Sequence, residues 1–400
     1  MKIGILTFHS EINYGSVLQA YAMQKVLESL GHEAFVIDKW EDPDNHRLLG
    51  PLAHKNPGFW VKFFLRSIMC CGDLSLLIRH LKTIRFIRKY LKRTNYHFYS
   101  WKDAPKDLGV DLITIGSDQV WNPMIVPPSD YLMIYNPWDV PAIAYSASIG
   151  QKKLDKEWLD AYRVGFGKLL AIGVREKEAK DIIEAEGFDA QHVVDPTLLV
   201  EPSLAWERFR RPVTKRKKLL CYFLREDFDE MLPILKKFAK ERDTDVRFFF
   251  DYTPLYALPK SFQGLVNWWA NVRKWHRGNV KAVESGSVIE FLRELSSATW
   301  VISNSFHALM FSIIFRKNVR IVRPSSLVRQ NMAARMEEFS KGLIRGRLMV
   351  NSLEEAINSF EHNETVEFDD AQIRKRREES LEWLKSIIAK VDVCCMSGNK

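Results

Sequence analysis

The sequence predicts an α/β protein of two domains with mostly parallel sheets. Three observations carry this. The chain opens with a strand–helix–strand pattern: an apolar run 3-IGILTF-8, a helical pattern from Ser16 with Val17, Ala20, Met23, Leu27 and Leu30 on one face, a stop at Gly31, and a strand at 34-AFVID-38. Parallel pairing is favoured for such a unit. The same pattern restarts after the basic connector 208-RFRRPVTKRKK-218, and the 400 residues exceed one ordinary core but suit two of roughly 150 to 200 residues. Two Rossmann-like domains facing a cleft are therefore expected.

In chain order, further strands are predicted at 110-VDLITI-115, 142-AIAYSAS-148, 170-LAIGVR-175 and 191-QHVVD-195, with helices between several of them. In the second half, 219-LLCYFL-224 is a strand, 229–242 a helix despite Pro233, and 245-DVRFFFD-251 a strand. Residues 287–295, 299–303, 305–315 and 318–324 alternate helix, strand, helix, strand. The segment 251–280, with 267-NWWANVRKWHR-277, fits neither period and is expected as a loop-and-helix insertion. The expected units are 1–205, with a basic helical insertion near 59–95, then 206–370, then a terminal helix and tail over 371–400.

Composition narrows the class. With 46% hydrophobic and 27% charged residues the chain is globular. The N-terminal apolar run is too short for a signal peptide, and 59-FWVKFFLRSIMCCGDLSLLI-78 is broken by Lys62, Arg66 and Asp73, short of the about 18 apolar residues a span needs. A cytoplasmic location is expected. The five cysteines, two adjacent pairs and Cys221, match neither a disulfide framework nor zinc spacing, so no metal is expected.

The net charge of +9 is concentrated in part between Arg79 and Arg93, where seven Lys/Arg stand without an acid. As a helix, this stretch puts Leu77, Leu81, Ile84, Ile87 and Leu91 on one stripe, with Lys82, Arg85, Lys89 and Lys92 opposite. The basic face is either simply solvated or a peripheral contact with an anionic membrane through Lys82, Arg85 and Lys89. No nucleic-acid signature accompanies it, and no nucleic-acid partner is expected.

Chemistry is expected where strands exit into helices. At 12-INYGS-16, Gly15 permits close backbone approach and Ser16 caps the helix, either leaving its amides free for an anion or as a plain N-cap beside a flexible loop. After the strand ending at Ile115, Gly116, Ser117 and Asp118 are followed by Gln119, Trp121 and Asn122. That aromatic is either a carbohydrate platform or a cover for the core edge. Ser303, Asn304 and Ser305 precede His307 in the first turn of a helix, a setting that lowers a histidine's pKa. Arg175 at a strand end is a fork for phosphate or carboxylate, unless Glu176 merely pairs with it. Asp195-Pro196 reads as a turn.

These residues resemble the polysaccharide pyruvyl transferase family, in the ordered segments 13-NYGSVLQAYAMQ-24, 116-GSDQVWNP-123, 145-YSASIG-150, 174-VREKEA-179, 194-VDPTLL-199 and 303-SNSFHALMFSIIF-315. The resemblance implies a GT-B-like fold and transfer of a carboxyethylidene group from phosphoenolpyruvate, as co-substrate and with no cofactor, to a lipid-linked glycan in bacterial capsule or exopolysaccharide assembly. It implies His307 and Asp118 in proton transfer. Arg175, Ser303, Asn304, Ser305, Asn13 and Gly15 fall on the donor side, and Ser117, Gln119, Trp121 and Asn122 on the acceptor side. The chain departs from the family pattern at Asn304 and Ala308, where Asp and Gly are common, and at Phe306, where some branches carry Arg. Phosphate binding would then rest on Arg175 with Arg329 or Arg335. The alternatives are a GT-B-type glycosyltransferase using a nucleotide sugar and a catalytically silent glycan-binding member.

Overall fold

The computed structural model describes residues 1–9, 13–40, 71–224, 228–250, 278–283, 285–324 and 327–397. Two parallel sheets organise them. The first has seven strands, β1 (Lys2–Leu6), β2 (Glu33–Lys39), β3 (Arg93–Phe98), β4 (Leu112–Ile115), β5 (Ala142–Ala147), β6 (Ile172–Val174) and β7 (Gln191–His192), in the order β3-β2-β1-β4-β5-β6-β7. The second has six, β8 (Lys218–Phe223), β9 (Asp245–Phe250), β10 (Val280–Val283), β11 (Trp300–Ser303), β12 (Asn318–Val322) and β14 (Met349–Val350), in the order β10-β9-β8-β11-β12-β14. A small antiparallel pair joins β13 (Ile344–Arg345) to β15 (Glu367–Phe368). Helices cover both faces of a parallel sheet, so its central strands read as unbroken apolar runs, as LITI in β4 and AIAYSA in β5 do.

In each sheet the strand order reverses beside the first strand, between β1 and β4 and between β8 and β11. Connections leave these two points in opposite directions, and a crevice opens at the carboxyl ends of the strands.

Twelve helices are present among the described residues: α1 (Tyr14–Ser29), α2 (Cys71–Tyr90), α3 (Lys156–Phe166), α4 (Lys177–Ala185), α5 (Pro196–Leu199), α6 (Pro202–Ala205), α7 (Phe228–Glu241), α8 (Val288–Ser297), α9 (Phe306–Ile314), α10 (Leu327–Ser340), α11 (Leu353–Glu361) and α12 (Asp370–Ser397). Helix α1 is buried on nearly every side because it is shared by the two domains. Tyr14 stacks on Phe291 of α8 at 4.7 Å and donates its hydroxyl hydrogen to the Gly286 carbonyl at 2.8 Å. Trp206 of the connector is fully buried and meets Tyr21 of α1 and Phe311 of α9 edge-on. One apolar core thus runs through both domains. Helix α12 brings the chain end back to the first sheet: Ser380 Oγ accepts from the Val194 amide, and the Trp383 ring occupies the space a side chain at Gly173 would need.

The expected basic helix over 59–95 differs in three ways. It ends at Tyr90, and Arg93–Phe98 is an edge strand, where alternating Thr94, Tyr96 and Phe98 favour extended backbone. Its buried face is also rotated: Leu81 is 51% exposed, while Arg79, Thr83, Phe86 and Ile87 are buried. Phe86 packs against Tyr21 and Phe209, and the Arg79 guanidinium lies over the Tyr14 ring at 4.4 Å, so a residue counted as polar belongs to the packed face. Lys82, expected on an outer basic face, instead pairs with Glu290 of α8 at 3.1 Å and donates to the Ser285 carbonyl, tying α2 to the second domain. Residues 59–70 and 251–277 lie outside the described residues. Among the described ones no helix is long and apolar enough to cross a membrane.

Trp206→Ala is expected to cost about 3–5 kcal/mol by opening a cavity in the shared core. Lys82→Ala breaks an exposed pair and is expected to cost under about 1 kcal/mol. Urea unfolding of both variants checks the contrast.

Candidate active site

Both switch points open onto one cleft. Among the described residues it is lined by Asn13, Asp118 and Gln119 from the first crevice, Leu224, Ser305, Phe306 and His307 from the second, and Arg175, Glu176 and Arg335 between them. Its empty space is about 440 Å³, counted out to the open mouth.

The first wall is held by a buried polar lattice. Gln19 Nε2 donates to Thr7 Oγ1 and to the carbonyls of Phe8 and Ser16, and Thr7 Oγ1 in turn donates to the Ser117 carbonyl at 2.7 Å. The Thr7 side chain lies so close to Gly116 that a Cβ there would sit 2.6 Å from it, which is why the β4 exit starts with glycine. Asp118 follows at φ 94°, a left-handed conformation costly for a residue with a side chain. Its carboxylate accepts from Ser16 Oγ at 2.9 Å and from the Gln119 amide at 2.8 Å. Asn13 caps α1 by accepting from the Gly15 amide.

His307 stands in the first turn of α9, whose cap residue Ser305 makes no side-chain capping bond. Its ring lies directly on Gly15: a Cβ at position 15 would be 2.1 Å from Nδ1. Its Nε2 is buried, makes no hydrogen bond, and lies 3.7 Å from Asp195 Oδ2. Burial is the main cause holding the His307 pKa below its usual value; Asp195 and Asp118 oppose this, and Arg175 adds to it. Burial thus favours the neutral imidazole, the state a general base needs.

Asp195, read in the sequence only as a turn, is the carboxylate that lies against His307. It is completely buried and caps α5. Oδ1 accepts from the Thr197 amide and hydroxyl, while Oδ2 accepts from Ser117 Oγ at 2.6 Å and lies 3.6 Å from Arg175. Burial disfavours its charge most strongly, yet His307, Arg175 and the bonds from Ser117 and Thr197 together bring its pKa below the usual carboxylate value.

Glu176 does pair with Arg175, as one of the two sequence readings has it, and it holds a second arginine as well. Its Oε1 accepts from Ser148 Oγ (2.7 Å), Arg175 Nε (3.0 Å) and Arg335 (3.3 Å), so one carboxylate holds two guanidinium groups. Arg175 also lies over the Phe306 ring at 4.4 Å. The phenylalanine that departs from the family pattern is thus a wall for this arginine. Burial works against charge on Arg175, but Glu176, Asp195 and Asp118 raise its pKa above the usual value.

The structure therefore brings together Asn13, Asp118, Gln119, Arg175, Ser305 and His307, with Gly15 behind the imidazole. It turns others away. Trp121 is 1% exposed and donates its ring N–H to the Tyr131 carbonyl; it is a core side chain against Phe166, not a sugar platform. Ser117 is spent on Asp195, and Asn122 donates to Gln119 Oε1 and accepts from the Met124 amide, so neither faces an acceptor. Ser303 donates to the Tyr222 carbonyl. Asn304 accepts from the Leu224 amide and donates to the Leu224 carbonyl, bridging two strand exits in a way no carboxylate can. Arg335 lines the cleft, whereas the Arg329 side chain lies outside the described residues.

Two parallel-sheet domains that present their switch points to one polar cleft form a GT-B-like arrangement. Among solved structures, a UDP-N-acetylglucosamine 2-epimerase is similar at 10% identity over 100% of this chain and 96% of its own, with a TM-score of 0.50. The UDP-GlcNAc 2-epimerase from Methanocaldococcus jannaschii (11%, 90% and 92%, 0.47) and the glycosyltransferase SnogD from Streptomyces nogalater (12%, 97% and 96%, 0.40) are also similar. At such identity the likeness concerns the fold alone. No curated protein matches the chain. Residues 13–326 match the family model for polysaccharide pyruvyl transferase, and the chain belongs to that family of transferases.

Gly15→Ala is expected to displace His307 and lower turnover about a hundredfold, with far-ultraviolet circular dichroism unchanged. A second expectation concerns pH. Because the folded pKa of His307 is depressed, the unfolded chain binds the extra proton first, and stability falls as pH drops below the unfolded value of 6.5. The fall continues down to the folded pKa and then levels for this group. His307→Gln should flatten the slope of melting temperature against pH in that window; an unchanged slope would contradict a buried neutral imidazole.

Proposed function

We propose that this transferase moves the carboxyethylidene group of phosphoenolpyruvate onto two hydroxyls of a sugar in a lipid-linked oligosaccharide, during capsule or exopolysaccharide assembly in the bacterial cytoplasm. The observation that carries this reading is the pairing, in one cleft, of a neutral buried imidazole with a buried guanidinium. His307 Nε2 and one terminal nitrogen of Arg175 both lack a hydrogen bond within the protein. A donor bearing a phosphate and a carboxylate supplies acceptors for that guanidinium, and Arg335 stands beside it.

The reaction then balances as follows. The proton of a first sugar hydroxyl passes by way of His307 to the methylene carbon of the donor, which becomes a methyl group, while the neighbouring carbon accepts that sugar oxygen. The C–O bond to phosphate breaks, the second hydroxyl closes the ketal, and its proton leaves with the phosphate. The two protons lost by the sugar thus equal those gained by the methyl group and phosphate. Asp118, on the opposite wall, is assigned to the second hydroxyl, with Gln119 beside the sugar. Arg85 and Lys89 stay exposed for the peripheral membrane contact that a lipid-linked acceptor invites, without Lys82.

Phosphate release from phosphoenolpyruvate, followed by ³¹P NMR with and without a glycan acceptor, tests this directly. His307→Gln is expected to lower release by roughly 10²–10⁴-fold, while phosphoenolpyruvate still raises the melting temperature. Stabilisation by nucleotide sugars and none by phosphoenolpyruvate would replace this reading with that of a glycosyltransferase.

A further inference from the structure

A second concave site lies on the first domain, at the other end of α1 from His307. Among the described residues it is lined by Tyr21, Gln24, Lys25, Arg88, Lys89, Tyr90, Leu91, Lys92 and Arg208, with about 710 Å³ of empty space counted to its mouth. Five of these side chains are cationic and none is acidic. Glu28, on the same helix, is engaged by Lys25 at 2.6 Å and Lys92 at 2.8 Å.

The site is built rather than incidental. Gln24 is 1% exposed; its amide donates to the Tyr90 carbonyl and accepts from the Lys92 amide at 2.8 Å, pinning the α2–β3 turn to α1. Tyr90 forms an aromatic wall with Arg208 over its ring at 5.1 Å and Lys89 at 5.3 Å, and Lys25 lies over Tyr21 at 5.7 Å. Arg88 and Lys89 alone would be explained as cations at the C-terminal end of α2, where the helix dipole favours them. Arg208 cannot be explained that way. It comes from the connector between the domains, and its charge converges on the same hollow from a different segment.

We propose that this pocket binds a phosphate or diphosphate group, as a second anion site distinct from the catalytic cleft. Arginine and lysine side chains gathered around a hollow match phosphate oxygens, and Lys89 and Arg208 lie against the Tyr90 ring. Counting 1.5 Å per residue along α1, the stretch Tyr21 to Lys25 lies roughly 9 to 15 Å from Gly15. The group bound there therefore cannot be the one whose C–O bond breaks. A diphosphate headgroup at a membrane surface and a soluble polyphosphate share this chemistry.

The test uses the full chain with inorganic pyrophosphate, and separately with vesicles of phosphatidylcholine alone or containing phosphatidic acid. The Arg88→Gln/Arg208→Gln variant is expected to bind pyrophosphate about 25-fold more weakly, at roughly fivefold per charge removed, while Lys375→Gln, exposed and outside both pockets, binds it as the wild type does. Arg88→Lys/Arg208→Lys should recover most of the affinity, and both exposed positions permit a folded control by melting curve. Retention on phosphatidic acid vesicles that pyrophosphate displaces identifies a lipid headgroup. Pyrophosphate binding without vesicle retention identifies a soluble phosphate. Binding that survives in the Gln pair and is lost in the cleft variant Arg335→Gln would overturn the proposal, as would failure to bind either probe.

Discussion

The imidazole of His307 rests on Gly15, and a single carbon added there would overlap its ring. Much of the molecule follows from that contact, because the two residues belong to different domains. Glycine can stand at position 15 only because Asn13 caps the helix start and the Gln19 lattice holds the preceding strand exit. The imidazole reaches it only because α9 begins at the opposite switch point. Tyr14, one residue earlier, fixes the same junction by stacking on Phe291. The domain interface and the active site are thus one piece of packing, and the buried α1 is its axle.

This arrangement places charge where burial makes it expensive. Arg175, Glu176 and Asp195 are nearly or fully removed from solvent, and a buried charge left without a partner costs several kcal/mol. They coexist because each holds another: Glu176 spans two arginines, and Asp195 collects Ser117, Thr197 and the positive field of Arg175. The neutral state of His307 belongs to the same balance. A protonated ring would be one more buried cation beside Arg175, and Asp195, 3.7 Å away and already bonded three times, does not fully offset that.

Much of this was legible in the sequence, for reasons that also mark its limits. Strand exits are readable because a parallel sheet demands apolar runs that end abruptly, so 116-GSDQ-119, Arg175 and His307 stood out as polar residues after buried strands. Periodicity cannot say which way a side chain turns once the strand has ended. Trp121 and Asp118 are three residues apart in one turn; the first enters the core and the second the cleft, and the left-handed backbone at Asp118 separates them. Asp195 escaped notice because Asp-Pro is a common turn, and its role depends on partners 78 and 112 positions away in the chain. The face of α2 was misassigned because an arginine packed on a tyrosine counts as polar in any pattern.

Asn304 shows how a departure from a family pattern is absorbed. A carboxylate in the segment before the histidine would suggest an orienting partner, and its replacement by an amide would suggest a loss. Here the amide does work that requires both a donor and an acceptor, clamping Leu224 so that the β8 exit forms one lip of the cleft. The orienting charge comes from Asp195 in the other domain. The consequence is mechanical: any motion that parts the domains removes the carboxylate from the imidazole and the imidazole from Gly15 together. Glu176 adds a second condition, since it already occupies Arg175 and Arg335, so any anion that enters the cleft must share them with it. Closure of the cleft and displacement at Glu176 are therefore coupled by geometry, and a ligand that supplies acceptors to Arg175 favours the assembled state of His307.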